Sequence, residues 1–151
     1  MFRKTTFLFL AFSFSDVFAD NIKQSIQILN NANLIQMKRI KIATENLVNV
    51  NSFYANKTPY RRKIITVENR YDKKHKSTLL HYQIKHSNWG FNVKYDPFHP
   101  FANQMGYVKF SNVVTEIEKA DLMEAHRGYE ANLATIEMSN SLINKTLEVI
   151  K

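Results

Sequence analysis

The chain has 151 residues, 21 Lys+Arg against 13 Asp+Glu, and 44% hydrophobic residues, enough for one domain with a modest core and too apolar for wholesale disorder. It has no cysteine, which excludes disulfide scaffolds, thiol catalysis, thiolate zinc sites and iron–sulfur clusters. The net charge of +8 rests on 15 Lys against 6 Arg beside 16 Asn and 13 Ile, a compositional drift rather than a nucleic-acid footprint.

At the start, Arg3 and Lys4 precede the apolar stretch Phe7–Phe12, then a polar Ser13-Phe14-Ser15-Asp16 and Val17-Phe18-Ala19. This order is that of a secretory signal peptide cleaved after Ala19. Residues 1–19 are therefore read as a targeting segment. No apolar run reaches the roughly 20 residues of a membrane-spanning helix, so the chain is not expected to be integral to a membrane.

From Ile22 to Val50 there is neither Gly nor Pro, and Ile26, Leu29, Ile40, Ala43, Leu47 and Val50 fall on alternating spacings of three and four, with Asn33 and Gln36 in the same frame. That is a helix stripe, and a second row of Ile28, Ile35 and Ile42 broadens it. The basic runs Arg61-Arg62-Lys63 and Lys73-Lys74-His75-Lys76 lack the glycine and interleaved aromatics of a base-stacking platform and read as solvated loops. Between and beyond them, Tyr60–Val67, Leu79–Ile84 and Phe91–Tyr95 are rich in β-branched and aromatic residues and are predicted to be strands. Asp96-Pro97-Phe98-His99-Pro100 reads as an extended loop, since each proline removes a donor and biases its predecessor away from the α region.

The last segment is the most regular. Leu122, Tyr129, Ile136, Ile143 and Ile150 recur every seven residues, with His126, Leu133, Asn140 and Leu147 at the intervening d-type positions. Such heptads require a partner helix, and Thr115-Glu116-Ile117-Glu118 supplies a capping-box start. A helix from Glu116 to Ile150 would be roughly 50 Å long, so the molecule is elongated. The two long helices are expected to pair antiparallel. The predicted fold is mainly α with a small β insert: residues 20–52 and 112–151 form a discontinuous coiled-coil domain, and 53–111 the insert with its extended loop.

Catalytic chemistry finds no footing. The five histidines make no H-x-x-x-H pair with a nearby carboxylate, and the three glycines are too scattered to cradle a phosphate. Asp72, Glu68 and Glu130 read as surface countercharges. No enzyme activity, cofactor, metal or nucleic-acid partner is expected.

Several short motifs stand in a fixed order. Ala43-Thr44-Glu45-Asn46-Leu47-Val48-Asn49 resembles the S-x-N-L-A-N box near the start of flagellar rod and hook proteins, and Pro59-Tyr60-Arg61-Arg62-Lys63 resembles the P-Y-R-R-K that follows it in one branch. Tyr95-Asp96-Pro97-Phe98-His99-Pro100, Gly106-Tyr107-Val108-Lys109 and Asn112-Val113 are similar to the Y-D-P-x-H-P, G-Y-V-x and N-V run of the C-type flagellar basal-body rod proteins, and Arg127-Gly128-Tyr129-Glu130-Ala131-Asn132 to the R-x-Y-E-A-N of their terminal helix.

The resemblance covers about Ile22 to the C-terminus. It implies a structural, non-catalytic subunit of the proximal rod in the periplasmic drive shaft, assembling with copies of itself and with other rod and basal-body components. By the same resemblance, Asn46, Leu47 and Asn49, with Arg127, Tyr129, Glu130, Asn132, Ile136 and Ile143, serve helix and subunit packing. Tyr95, Asp96, Pro97, His99, Pro100, Gly106 and Tyr107 form the loop motif that sets how the chain leaves the β part. The leader-like segment precedes the point, near Asn21, where such proteins usually begin, which keeps open a second role: a Sec-exported periplasmic structural or binding protein retaining this fold.

Overall fold

The computed structural model describes residues 3–53, 58–75 and 77–150, with side chains between 21 and 149. Helix α1 spans Arg3–Val48 and helix α2 Thr115–Ile150. Between them lie strands β1 (Lys63–Asp72), β2 (Ser77–His86), β3 (Asn92–Tyr95) and β4 (Tyr107–Phe110). The α1 backbone begins inside the segment read as a leader, whose side chains lie outside the described residues.

The helices pair antiparallel. Asn46 meets Glu118, Arg39 meets Glu124, and Gln36 lies against Gly128, so the numbering falls on one helix as it rises on the other. A Cβ at Gly128 would stand 2.9 Å from Gln36 Nε2. Glycine inside the helix is thus matched by close approach of the partner.

The heptads are half right. Leu122, Tyr129, Ile136 and Ile143 are half-buried, as a seam requires, but the d-type residues His126, Leu133, Asn140 and Leu147 are exposed. Their place is taken by Ala125, Asn132 and Ser139, one position earlier. Small side chains admit a closer partner than leucine does, and that turns the larger residues outward.

The second apolar row of α1 has its own partner. β1 and β2 form an antiparallel hairpin in register from Lys63↔His86 to Asp72↔Ser77, and both strands pack on α1. Asn31, Lys38 and Glu45, seven apart, reach the hairpin through Leu80, Tyr82 and Lys63. One helix thus serves two neighbours, which is why its apolar face is broad.

β3 and β4 form a separate antiparallel pair, from Asn92↔Phe110 to Tyr95↔Tyr107. β4 is an addition to the predicted strands: Tyr107–Phe110 is read from the sequence only as part of a motif, and pairing with β3 is what makes it a strand. Nor is the segment after Tyr95 extended. His99 N–H donates to Asp96 C=O at 3.2 Å and Ala102 N–H to His99 C=O at 2.9 Å, folding it into consecutive turns. The prolines are compatible because neither supplies a donor there.

Gly106 closes this loop with φ +79°, and a Cβ on it would stand 2.8 Å from the Tyr95 ring. Gly106→Ala should therefore cost about 1–3 kcal/mol through left-handed strain alone. The expected readout is faster amide exchange in β3 and β4 with β1 and β2 unchanged.

A buried polar junction as the candidate functional site

The interior is unusual in its balance. Eight described apolar residues are buried, among them Ile35, Ile42, Tyr60 and Val108, against eight polar or charged ones. Five of the latter, Asn46, Arg62, Ser111, Asn112 and Glu118, come from segments that meet at one place. The junction of helices and insert is therefore held by directed polar bonds more than by apolar bulk.

Asn46 is its hinge pin. On the last turns of α1 and fully buried, its amide behaves as a strand partner: Nδ2 donates to Lys63 C=O at 2.8 Å, while Oδ1 accepts Lys63 N–H at 2.9 Å. The second Nδ2 hydrogen goes to Glu118 Oε2 at 2.9 Å, and the Tyr60 hydroxyl donates to Oδ1 at 3.0 Å. An amide has both donors and acceptors to give; aspartate has only acceptors and leucine neither.

Glu118, 1% exposed, comes from the first turn of α2. Its other oxygen accepts Arg62 Nε at 2.5 Å, and Arg62 Nη2 reaches Asp121 at 3.4 Å. The capping-box reading of Glu118 is thereby corrected. Its N–H bonds Val114 C=O at 3.1 Å, which makes Val114 the N-cap, and its carboxylate turns inward to the arginine.

The basic run at 61–63 is corrected likewise, since Arg62 is buried and Lys63 opens β1 and pairs with Glu45. Asn112 adds the fourth strut, accepting Arg62 N–H at 2.7 Å and donating to Trp89 C=O at 2.9 Å. Trp89 places its ring 5.4 Å from the Arg62 guanidinium.

A second asparagine clasps the hairpin further along. Asn31 accepts Leu80 N–H at 2.7 Å and donates to Leu80 C=O at 3.2 Å. Nothing in its sequence surroundings marked it, since one Asn on a helix is ordinarily solvated.

The remaining packing candidates divide. Leu47 and Asn49 are half-buried, with Asn49 Nδ2 bonding Glu45 C=O in its own helix at 2.8 Å. Tyr129, Asn132, Ile136 and Ile143 lie half-buried on the seam. Arg127 and Glu130 are exposed, and Glu130 lies 3.4 Å from His126. The other acidic candidates are also side-chain countercharges: Glu68 pairs with Arg70, and Asp72 with His75. Hydrogen bonding from His75 first, then from Lys74 N–H, holds the Asp72 carboxyl below its ordinary range.

The loop motif lies apart from the junction. Asp96 N–H donates to Gly106 C=O at 2.8 Å, and the Tyr95 and Tyr107 rings meet edge-on at 5.3 Å. Pro97 and Pro100 are exposed, while His99 packs with Phe53, Phe101 and Phe110.

A cleft of about 260 Å³ beside the junction is walled by Arg39, Ile42, Arg62, Ile65 and Asp121, among others. All five charged residues that line it are already paired: Arg39 with Glu124, Arg62 with Glu118 and Asp121, and Lys63 with Glu45. No described helix is long and apolar enough to cross a membrane. The arrangement ties the helix pair to its insert at a set angle.

Residues 104–149 match the family model of the flagellar basal body rod FlgEFG protein C-terminal region. The flagellar basal-body rod protein FlgC of Agrobacterium fabrum is 35% identical over 122 residues, covering 78% of this chain and 86% of that protein. FlgC of Bacillus subtilis is 30% identical over 147 residues, covering 84% and 97%. FlgC of Aquifex aeolicus is 29% identical over 118 residues, covering 77% and 87%. The chain belongs to the FlgC family of flagellar basal-body rod proteins, and is a structural component of the flagellar basal body.

Proposed function

We propose that the chain is a non-catalytic subunit of the proximal, periplasmic part of the rod, packed by its helix pair against other rod subunits and holding its insert at a set angle. Asn46 is the observation that carries this reading. It ties α1 to α2 through Glu118 and to β1 through Lys63, so torque applied to the helices is passed to the insert through bonds rather than through a loop. Residues 20–52 and 112–151 then act as one shaft-forming unit and 53–111 as the part it carries. Tyr129, Asn132, Ile136 and Ile143 serve the helix pair itself, while Arg127 and Glu130 face neighbouring subunits. The relatives are rod proteins, which favours this role over another envelope function.

The test is genetic and biochemical. Deleting the gene should abolish rods and motility, and the tagged chain should co-purify with isolated basal bodies. Complete rods in the deletion strain would overturn the assignment.

The leader reading is part of the same proposal. Cleavage after Ala19 would leave α1 from Asp20 onward. Mass spectrometry of the chain from native envelopes should give Asp20 as the first residue; an intact Met1 would favour the flagellum's own export route.

A further inference from the structure

The β1–β2 hairpin runs along α1 rather than across it. Asn46 holds Lys63, and Asn31 holds Leu80, which pairs with Asn69. From Asn46 back to Asn31 is fifteen residues of helix, about 22 Å at 1.5 Å each, and from Lys63 to Asn69 is six positions of strand, about 20 Å at 3.3 Å each. Equal lengths mean nearly parallel axes. The turn at His75 lies five residues before Leu80, a further distance of about 16 Å, which is eleven residues of helix. The turn is therefore level with Asp20, where the apolar leader-like segment meets the rest of α1.

What stands at that level is basic and aromatic. Residues 71–77 hold Lys73, Lys74 and Lys76 against the single acid Asp72, net +2. Both Asp72 oxygens are engaged within the turn, one by His75 Nδ1 at 2.7 Å and the other by Lys74 N–H at 2.8 Å. Lys73 and Lys74 are exposed and their amines have no ion pair among the described residues. Tyr71 beside them is 62% exposed, and Lys23 adds an exposed cation on α1 about level with the start of β2. Lysines with an exposed tyrosine suit the headgroup layer of a membrane, where amines meet phosphates and the ring meets the upper acyl carbons. The apolar stretch Phe7–Phe12, followed by Phe14, Val17 and Phe18, continues the same helix past this level. While attached, it can supply the acyl-chain contact that a lysine cluster lacks.

We propose that the β1–β2 turn, through Lys73, Lys74 and Tyr71, docks on an anionic phospholipid bilayer. Each lysine at such a surface contributes about fivefold in binding, so the turn alone gives weak, reversible attachment. That suits a subunit gathered at a membrane and then released into an assembly. The membrane is a partner that the rod reading does not name, and purified chain on vesicles tests it without any rod.

The chain purified from native envelopes should bind vesicles of equal parts phosphatidylglycerol and phosphatidylcholine about tenfold more tightly than vesicles of phosphatidylcholine alone, and high salt should remove the preference. Lys73→Glu with Lys74→Glu should abolish that preference. Lys85→Glu with Lys109→Glu makes the same change of charge at exposed lysines away from the turn, and should leave it within about twofold of the unaltered chain's. Equal affinity for the two vesicles, a preference that survives the turn substitutions, or an equal loss from the distant pair would each overturn the lipid contact. So would tighter binding to an isolated anionic cell-wall polymer than to the vesicles. None of these results touches the rod assignment, and absence of the chain from basal bodies would remove that assignment while leaving the lipid contact in place.

Discussion

Replacing Glu118 with alanine should destabilise the junction by about 3–5 kcal/mol, the cost of leaving a buried arginine without its partner. Arg62 would keep only Asp121 at 3.4 Å, whose side chain is 43% exposed, and Asn46 would lose the acceptor of one amide hydrogen. The double change Arg62→Met with Glu118→Leu should cost less than Glu118→Ala alone, because an ion pair exchanged for apolar side chains leaves no charge stranded. Trp89 is the single tryptophan, with its ring over Arg62, so its fluorescence reports unfolding of this unit directly. A urea-unfolding free energy for Glu118→Ala within about 0.5 kcal/mol of the unaltered chain's, the usual range for surface substitutions, would refute the account of the junction. In cells the same variant should fail to support motility even where the protein accumulates.

The Arg62–Glu118 pair leaves no mark in the sequence. A glutamate three residues after a threonine at a helix start fits a capping box, and only the arrival of Arg62, 56 residues earlier in the chain, decides that its carboxylate turns inward. Asn46 was singled out through its motif, and Tyr60 and Asn112 stood in neighbouring ones, yet no motif states that an amide imitates a strand. Asn31 does the same for β2 with no signal at all. The long helices were legible because period-3.6 patterning survives over many turns. The choice of seam was not, since the row of leucines at 133 and 147 and the row of small residues at 125, 132 and 139 both follow the heptad. Packing distance chose the small ones. Three of the four strands are legible approximately, and the fourth, β4, is defined by its pairing with β3 rather than by any pattern of its own.

The double substitution Ile136→Asp with Ile143→Asp should abolish incorporation into the rod while leaving the Trp89 signal and the β1–β2 hairpin nearly unchanged. The reason is a gradient along the helix pair. At the junction end, Ile35, Ile42, Ala43 and Ala125 are buried, but among the described residues none of α2 beyond Ala125, and none of α1 before Asn33, is more than partly covered. Ile136 and Ile143 bring the larger apolar contacts to that far seam, each worth about 1.5–3 kcal/mol if fully buried. Half-covered, they do not offset the roughly 1–2 kcal/mol per residue needed to order the backbone there. Leu142, Leu147 and Val149 stand exposed nearby and add surface that only a neighbour can bury. In the free subunit the far halves of both helices should therefore fray, exposing apolar side chains and favouring aggregation, and should order when rod partners supply the missing surface. Hydrogen exchange on dilute monomer should find strong protection from Glu118 to Ala125 and little beyond Ile136. Equal protection out to Ile143, in a sample shown to be monomeric, would mean that the helix pair folds alone and that the aspartates act only by disturbing the subunit itself.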